Sequence, residues 1–167
     1  GNVLLCNSFS KSLAPGYRVG WTIPGKYKDR VLRLNLNHSV SSATLPQAAI
    51  AHFLENGRYE HHMRNLRKML HTQCLRYQQA IADYFPEDTC VSRPQGGYVL
   101  WLELNQSVNT IELYEQALRR KVVFAPGRIF SLQDRYNNCL RISYANPWNK
   151  QVEDGLKLIG KLAGQMG

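Results

Sequence analysis

Steps of three and four between apolar positions dominate the middle of the chain. Over residues 58–85 they fall at Met63, Leu66, Leu70, Cys74, Tyr77, Ile81 and Tyr84, which puts them on one stripe of an amphipathic helix. At 1.5 Å per residue such a helix is about 40 Å long, and Pro86 stops it. A helix of that length commonly bridges two halves of a molecule. Before it the pattern is shorter. Residues 3–6 predict a buried strand, and residues 17–23 a second. Residues 26–37 carry helical spacing through Tyr27, Val31, Leu34 and His38, after the break at Pro24-Gly25. A second short helix follows, with Thr44 as its cap, Pro46 in its first turn and Gly57 at its end.

Beyond Pro86 the pattern alternates between periods. Residues 89–93 and 98–104 predict strands around the turn "PQGG", and residues 111–120 a helix capped by Asn109 or Thr110. Strands at 122–125 and 139–144 and a closing helix at 150–162 complete the chain. This order predicts an α+β layer with helices on one face of a small sheet. Three segments result: 1–57 as the tail of a larger α/β domain, 58–86 as the bridging helix, and 87–167 as a small α+β domain. The chain opens on Gly1 and enters a strand at once, so it reads as the C-terminal portion of a longer protein. The strand at Val3 is then left as an edge without its neighbours.

Composition narrows the class. Of 167 residues, 44% are apolar and 10% aromatic, enough to bury a core. No apolar run approaches the roughly 20 residues that cross a bilayer, and no basic segment leads into an apolar core as in a secretory signal. The four cysteines, Cys6, Cys74, Cys90 and Cys139, show no paired spacing. They read as reduced, largely buried thiols of a cytoplasmic protein. His61 and His62 are adjacent, so on a helix they diverge by about 100° and cannot share a metal as an i, i+4 pair can; their reading is structural or surface, and no metal is expected. Twenty-one Lys and Arg against twelve Asp and Glu give a formal charge of +9. That balance suits nucleic acid or a bound phosphate, but the basic residues are dispersed.

One stretch carries chemistry: "NSFSKSLAPGYRVGW", from Asn7 to Trp21. Lys11 has Ser8 and Ser10 beside it, and Arg18 seven residues on. Two hydroxyls and a guanidinium are good phosphate ligands, the arginine through charge-assisted and potentially bidentate contacts. Pro15 and Gly16 let the loop turn back so that Arg18 approaches Lys11. A lysine beside a phosphate cradle is what a pyridoxal phosphate Schiff base requires. Downstream, Arg141 sits between apolar residues in "CLRISYA", a costly place unless it meets an anion. The alternative is an edge-strand arginine facing water.

The lysine string, followed in order by "GGYVLWLEL", "VVFAPGRIFS" and "CLRISYA", resembles fold-type I pyridoxal phosphate proteins, the aspartate aminotransferase superfamily. It is most similar in style to the aminotransferase-like domain of MocR-type regulators, where a GntR-like winged-helix domain comes first. The resemblance implies that Lys11 forms the internal aldimine with pyridoxal 5'-phosphate and that Ser8, Ser10 and Arg18 bind its phosphate. It implies that Arg141 clamps the carboxylate of an amino-acid or amine ligand, with Gly97 and Gly96 close by in support. Arg128, in "FAPGRIF", meets either a substrate side chain or solvent. Tyr98 and Trp101 read as core or ligand-wall residues.

The same resemblance places the remaining cofactor ligands upstream of Lys11, outside this chain. The 167 residues alone are therefore expected to bind the cofactor poorly and not to transaminate. It also implies a homodimer, DNA contacts through an N-terminal domain not in this chain, and no membrane association. Three functions stand beside one another. The first is an effector-sensing domain of a transcription regulator, in which the ligand exchanges onto the cofactor by transaldimination. The second is a free-standing aminotransferase, and the third a nucleic-acid-binding module resting on charge alone.

Overall fold

The computed structural model describes residues 2–167. Contacts gather the chain into two compact units, Gly1–Asn65 and Leu66–Gly167. In the first, strand β1 (Leu5–Ser8) pairs antiparallel with β2 (Gly20–Ile23), Leu5 opposite Ile23 and Ser8 opposite Gly20. Helices α1 (Lys28–Ser39) and α2 (Thr44–Glu55) follow, and α3 (Arg58–Tyr84) contributes its first two turns.

Several expectations for this unit need correction. The first strand runs two residues later than the apolar run and is exposed throughout, with Leu5 at 53% and Ile23 at 58% exposure. A two-stranded ribbon covers neither of its own faces, so apolar residues alone did not make it buried. The second strand starts only at Gly20, because residues Pro15–Tyr17 form a tight 3₁₀ turn. Arg18 closes that turn in a left-handed conformation, ahead of the strand and not at its start. Tyr27, which precedes α1, and Val31 on it are half-buried, while Leu32, Leu34 and Leu36 are exposed. Thr44 does not cap α2; it is the first helical residue, and Ala43 takes the capping position without a side-chain bond.

The second unit holds the core. Its sheet has the order β3–β4–β6–β5, antiparallel throughout, with β3 at Cys90–Val91, β4 at Val99–Glu103, β5 at Ala125–Pro126 and β6 at Cys139–Ser143. Successive side chains of a strand face opposite ways. Leu100 and Leu102 of β4, with Leu140 and Ile142 of β6, therefore turn to one face and are buried there. They pack against Tyr77 and Ile81 of α3, Leu113 and Ala117 of α4 (Thr110–Leu118), and Leu156, Ile159 and Leu162 of α5 (Lys150–Gly164). The stripe expected on the long helix is at least half-buried at every position from Met63 to Tyr84. Both later helices start at asparagine caps: Asn109 Oδ1 accepts from the Ile111 amide and Asn149 Oδ1 from the Val152 amide.

The strand expected at 122–125 is reduced to Ala125–Pro126. Residues 120–122 are used instead to close α4: the Lys121 amide reaches Leu118 O, the Val122 amide reaches Ala117 O, and Lys121 is left-handed at φ 63°. That six-to-one bond is a Schellman closure. The cysteines are less buried than expected. Cys6 and Cys90 are exposed because each lies on a ribbon or edge strand, Cys74 is half-buried, and only Cys139 is buried. Burial pushes the thiols of Cys74 and Cys139 above the usual range. Among the described residues no helix is long and apolar enough to cross a membrane.

Leu102 is fully buried at the centre of this packing. Leu102→Ala is expected to lower unfolding free energy by about 2–5 kcal/mol, as core truncations of this size do, read by urea denaturation at constant m-value.

Candidate functional site

The lysine loop is built by the hairpin of the first unit. The Phe9 amide bonds Val19 O at 3.0 Å, and the Leu13 amide returns to Phe9 O at 2.8 Å. Residues 9–13 therefore form a closed turn with Lys11, exposed, at its middle. Arg18 comes back from the other side of the loop: its Nη1 donates to Ser10 Oγ at 3.3 Å and to Pro15 O at 3.4 Å. The backbone at Arg18 is left-handed, φ 51°. Ser8 is the last residue of β1, and its amide is held by Asn7 Oδ1 at 2.7 Å. Ser8, Ser10, Lys11 and Arg18 thus share one loop, and residues 8–19 contain no carboxylate. An amine, a guanidinium and two hydroxyls form a donor set suited to a phosphate dianion.

Sequence reasoning missed what supports this loop. His62, on the first turns of α3, lies 2.7 Å through Nε2 from Ser12 O. A carbonyl oxygen only accepts, so Nε2 carries the proton. Phe53 of α2 packs edge-on against the His62 ring at 6.2 Å, and Tyr59 packs edge-on against Phe9 at 6.0 Å. The structural reading of His62 stands; its neighbour His61 bonds Asn65 and faces out. No spacing rule could have linked His62 to a loop 50 residues earlier.

Arg141 and Gly97 lie in the second unit. Gly97 has φ 91°, a conformation that a Cβ disfavours, and its carbonyl accepts from Tyr144 Oη at 2.8 Å. Arg141 is on β6, between β4 and β5, so it is not on an edge strand. Nor is it buried in apolar surroundings. Leu140 and Ile142 turn to the core, and alternation sends Arg141 to the open face, where it is exposed. The apolar neighbours in sequence therefore give no reason for an anion partner. Among the described residues the guanidinium makes no ion pair and no hydrogen bond. It borders an open groove of about 1070 Å³ whose lining also includes Arg120, Lys121 and Lys150, against one carboxylate, Asp154.

Arg128 is partly exposed and also bonded within its own loop. Its Nη1 donates to Ser131 O at 2.9 Å and its Nε pairs with Asp134 at 3.3 Å, tying together the loop that crosses the open face of the sheet. Gly127 anchors the loop's start: a Cβ there would stand 2.5 Å from Tyr136 O and 2.8 Å from Cys139 Cβ. The loop sets Phe130 and Tyr136 edge-on against Trp101, at 5.7 and 5.4 Å between centroids. Trp101 is a wall residue of this open face, not a core residue.

Comparison with known proteins follows the same lines. Residues 1–159 match the sequence profile described as aminotransferase class I and II. The chain is 42% identical over 163 residues to the HTH-type transcriptional regulator YjiR of Escherichia coli K12, covering 96% of this chain and 34% of that protein. It is 36% identical to the HTH-type regulator YdcR of the same organism, again over 96% and 34%, and 29% identical to aminotransferase SSO0104 of Saccharolobus solfataricus, over 96% and 40%. The chain therefore spans about a third of the length of these regulators. Among solved structures, LysN, an α-aminoadipate aminotransferase of Thermus thermophilus complexed with N-(5'-phosphopyridoxyl)-L-leucine, superposes with a TM-score of 0.90. That match has 24% identity and covers 98% of this chain and 42% of that one, so the fold is shared.

His62→Ala is expected to speed hydrogen exchange at the Leu13 and Ala14 amides by roughly 2- to 10-fold, the loss of one supporting hydrogen bond. Exchange at the Leu102 amide should not change.

Proposed function

The chain belongs to the aminotransferase class I and II family, and from that premise we propose that it is part of the ligand-sensing domain of a MocR-type transcription regulator. The observation that carries the reading is the likeness, over nearly the whole chain, to two bacterial HTH-type regulators. In this reading 1–57 completes a large cofactor domain, 58–86 is the bridging helix and 87–167 the small domain. DNA is contacted through a winged-helix domain elsewhere in the protein, which acts as a cytoplasmic homodimer.

The donor set of the lysine loop fits pyridoxal 5'-phosphate. Arg18 Nη1 and Ser10 Oγ already lie 3.3 Å apart, so a phosphate there meets a guanidinium and a hydroxyl together, with Ser8 at the end of the adjoining strand. Lys11 Nζ is the amine that would hold the cofactor's carbonyl carbon. When bound, the cofactor supplies an aldehyde carbon on which one amine can be exchanged for another. Arg141 offers an anion the donor edge of its guanidinium, and a carboxylate matches that fork. Gly97 is assigned a supporting role beside the ligand from the family resemblance. The ligand is thus an amino acid or amine bearing a carboxylate. Binding that favours one arrangement of the protein over another shifts its DNA affinity by the difference in ligand affinity between the two.

A free-standing aminotransferase is the second reading, favoured by the likeness to the Saccharolobus aminotransferase; the two share the first binding step. The intact protein separates them. Incubated with cofactor and a panel of the standard amino acids, a regulator changes its DNA affinity and releases no keto acid. Steady keto-acid production with no change in DNA affinity would establish the enzyme instead. Arg18→Ala is expected to weaken cofactor affinity by roughly 10- to 100-fold, the loss of charge-assisted hydrogen bonds, measured by absorbance titration. The 167-residue chain alone should take up the cofactor only weakly.

A further inference from the structure

We infer that Phe130 is a positioning residue for Arg141: its ring holds the guanidinium in place while leaving its N–H donors available to a carboxylate. The inference rests on the reading of Arg141 as the carboxylate ligand.

Two arginines of the same face are held in contrasting ways. Arg128 is held by its own donors, through Ser131 O and Asp134, and those donors are no longer available to a ligand. Arg141 is held differently. Its Cζ lies over the Phe130 ring, 4.6 Å from the centroid, a cation–π contact. The five N–H bonds of a guanidinium lie in its plane. A ring carries no charge and no lone pair, so contact with it restrains the guanidinium without taking up a donor in an ion pair or conventional hydrogen bond. A carboxylate partner from the protein would do the reverse: it would fix the side chain, neutralise it and occupy the fork that a ligand needs.

A restraint works only if the ring itself is fixed. Phe130 meets the Trp101 ring edge-on at 5.7 Å and 67°. Trp101 is the register partner of Arg141 on the neighbouring strand, so strand pairing places the two side by side on the open face. Tyr136 also packs edge-on against Trp101, at 5.4 Å and 87°. The loop between them is cinched by Arg128 and started by Gly127 in a space that admits no Cβ. Ala125, opposite Arg141 on the other neighbouring strand, is too small to crowd the guanidinium. The arrangement is an aromatic rest against a cation that makes no ion pair and no hydrogen bond among the described residues. It reduces the rotamer freedom that an arginine otherwise loses on binding.

The test uses the intact protein with arginine side chains labelled for NMR and the Arg141 Nε–H signal assigned by its loss in Arg141→Lys. Acetate is the probe. In the wild type the Arg141 signal should show an order parameter of about 0.8 and shift on acetate titration; in Phe130→Leu the order should fall below about 0.6. Acetate affinity at that signal should weaken roughly 2- to 10-fold. Phe130→Tyr keeps the ring and should restore both; if Phe130→Leu disturbs the loop, Trp101→Leu, which leaves Phe130 in place but unbraced, should lower the order in the same direction. Unchanged order and affinity in Phe130→Leu would overturn the inference while leaving Arg141 as the carboxylate ligand. No acetate shift in the wild type would instead overturn that reading, and the inference with it.

Discussion

The antiparallel pairing of β4 with β6 is the constraint on which the second unit depends. It sets Leu100 opposite Ile142 and Leu102 opposite Leu140, and strand alternation turns all four to the helices. The same register sets Trp101 opposite Arg141 and turns both to the other face. Core and candidate ligand face are therefore one decision. A slip by one residue would carry the arginine into the core and the leucines out to water, so the burial of the leucines is what keeps Arg141 exposed.

The lysine loop answers to a different constraint. No core lies beneath it among the described residues of the first unit, where Ile50 is the buried apolar residue and most large apolar side chains of the hairpin and α1 are exposed. Its shape comes from local bonds: the Phe9 turn, the left-handed Arg18, and His62 bracing Ser12 O. Local bonds of this kind open more readily than a packed core. A site of donors on such a loop suits a bound phosphate, whose several acceptors tie the donors together.

Much of this was legible in the sequence where periodicity was strong. The stripe from Met63 to Tyr84, the asparagine cap of α4 and the strands carrying Leu102 and Leu140 follow from period and turn chemistry. Burial was misread where it depended on partners. The apolar run around Leu5 looks the same whether or not a sheet covers it, so the ribbon's exposure was invisible. The strand at 122–125 failed because Lys121 and Val122 were already committed to closing α4. Arg141 was singled out on the argument of an apolar setting, which its exposure removes; its alternation with Leu140 and Ile142 was readable and pointed outward. Phe130, Tyr136 and His62 depend on long-range packing by loops without period, and residue spacing carries no trace of it.

The central claim is that Lys11 is the covalent hook of a cofactor site whose other donors share its loop. It is tested most directly by reducing the cofactor-loaded intact protein with borohydride and mapping the fixed label by peptide mass spectrometry. The account predicts one labelled residue, Lys11, and no label in Lys11→Ala. A label on Lys26 or Lys28, or an unlabelled Lys11 in fully loaded protein, would contradict it.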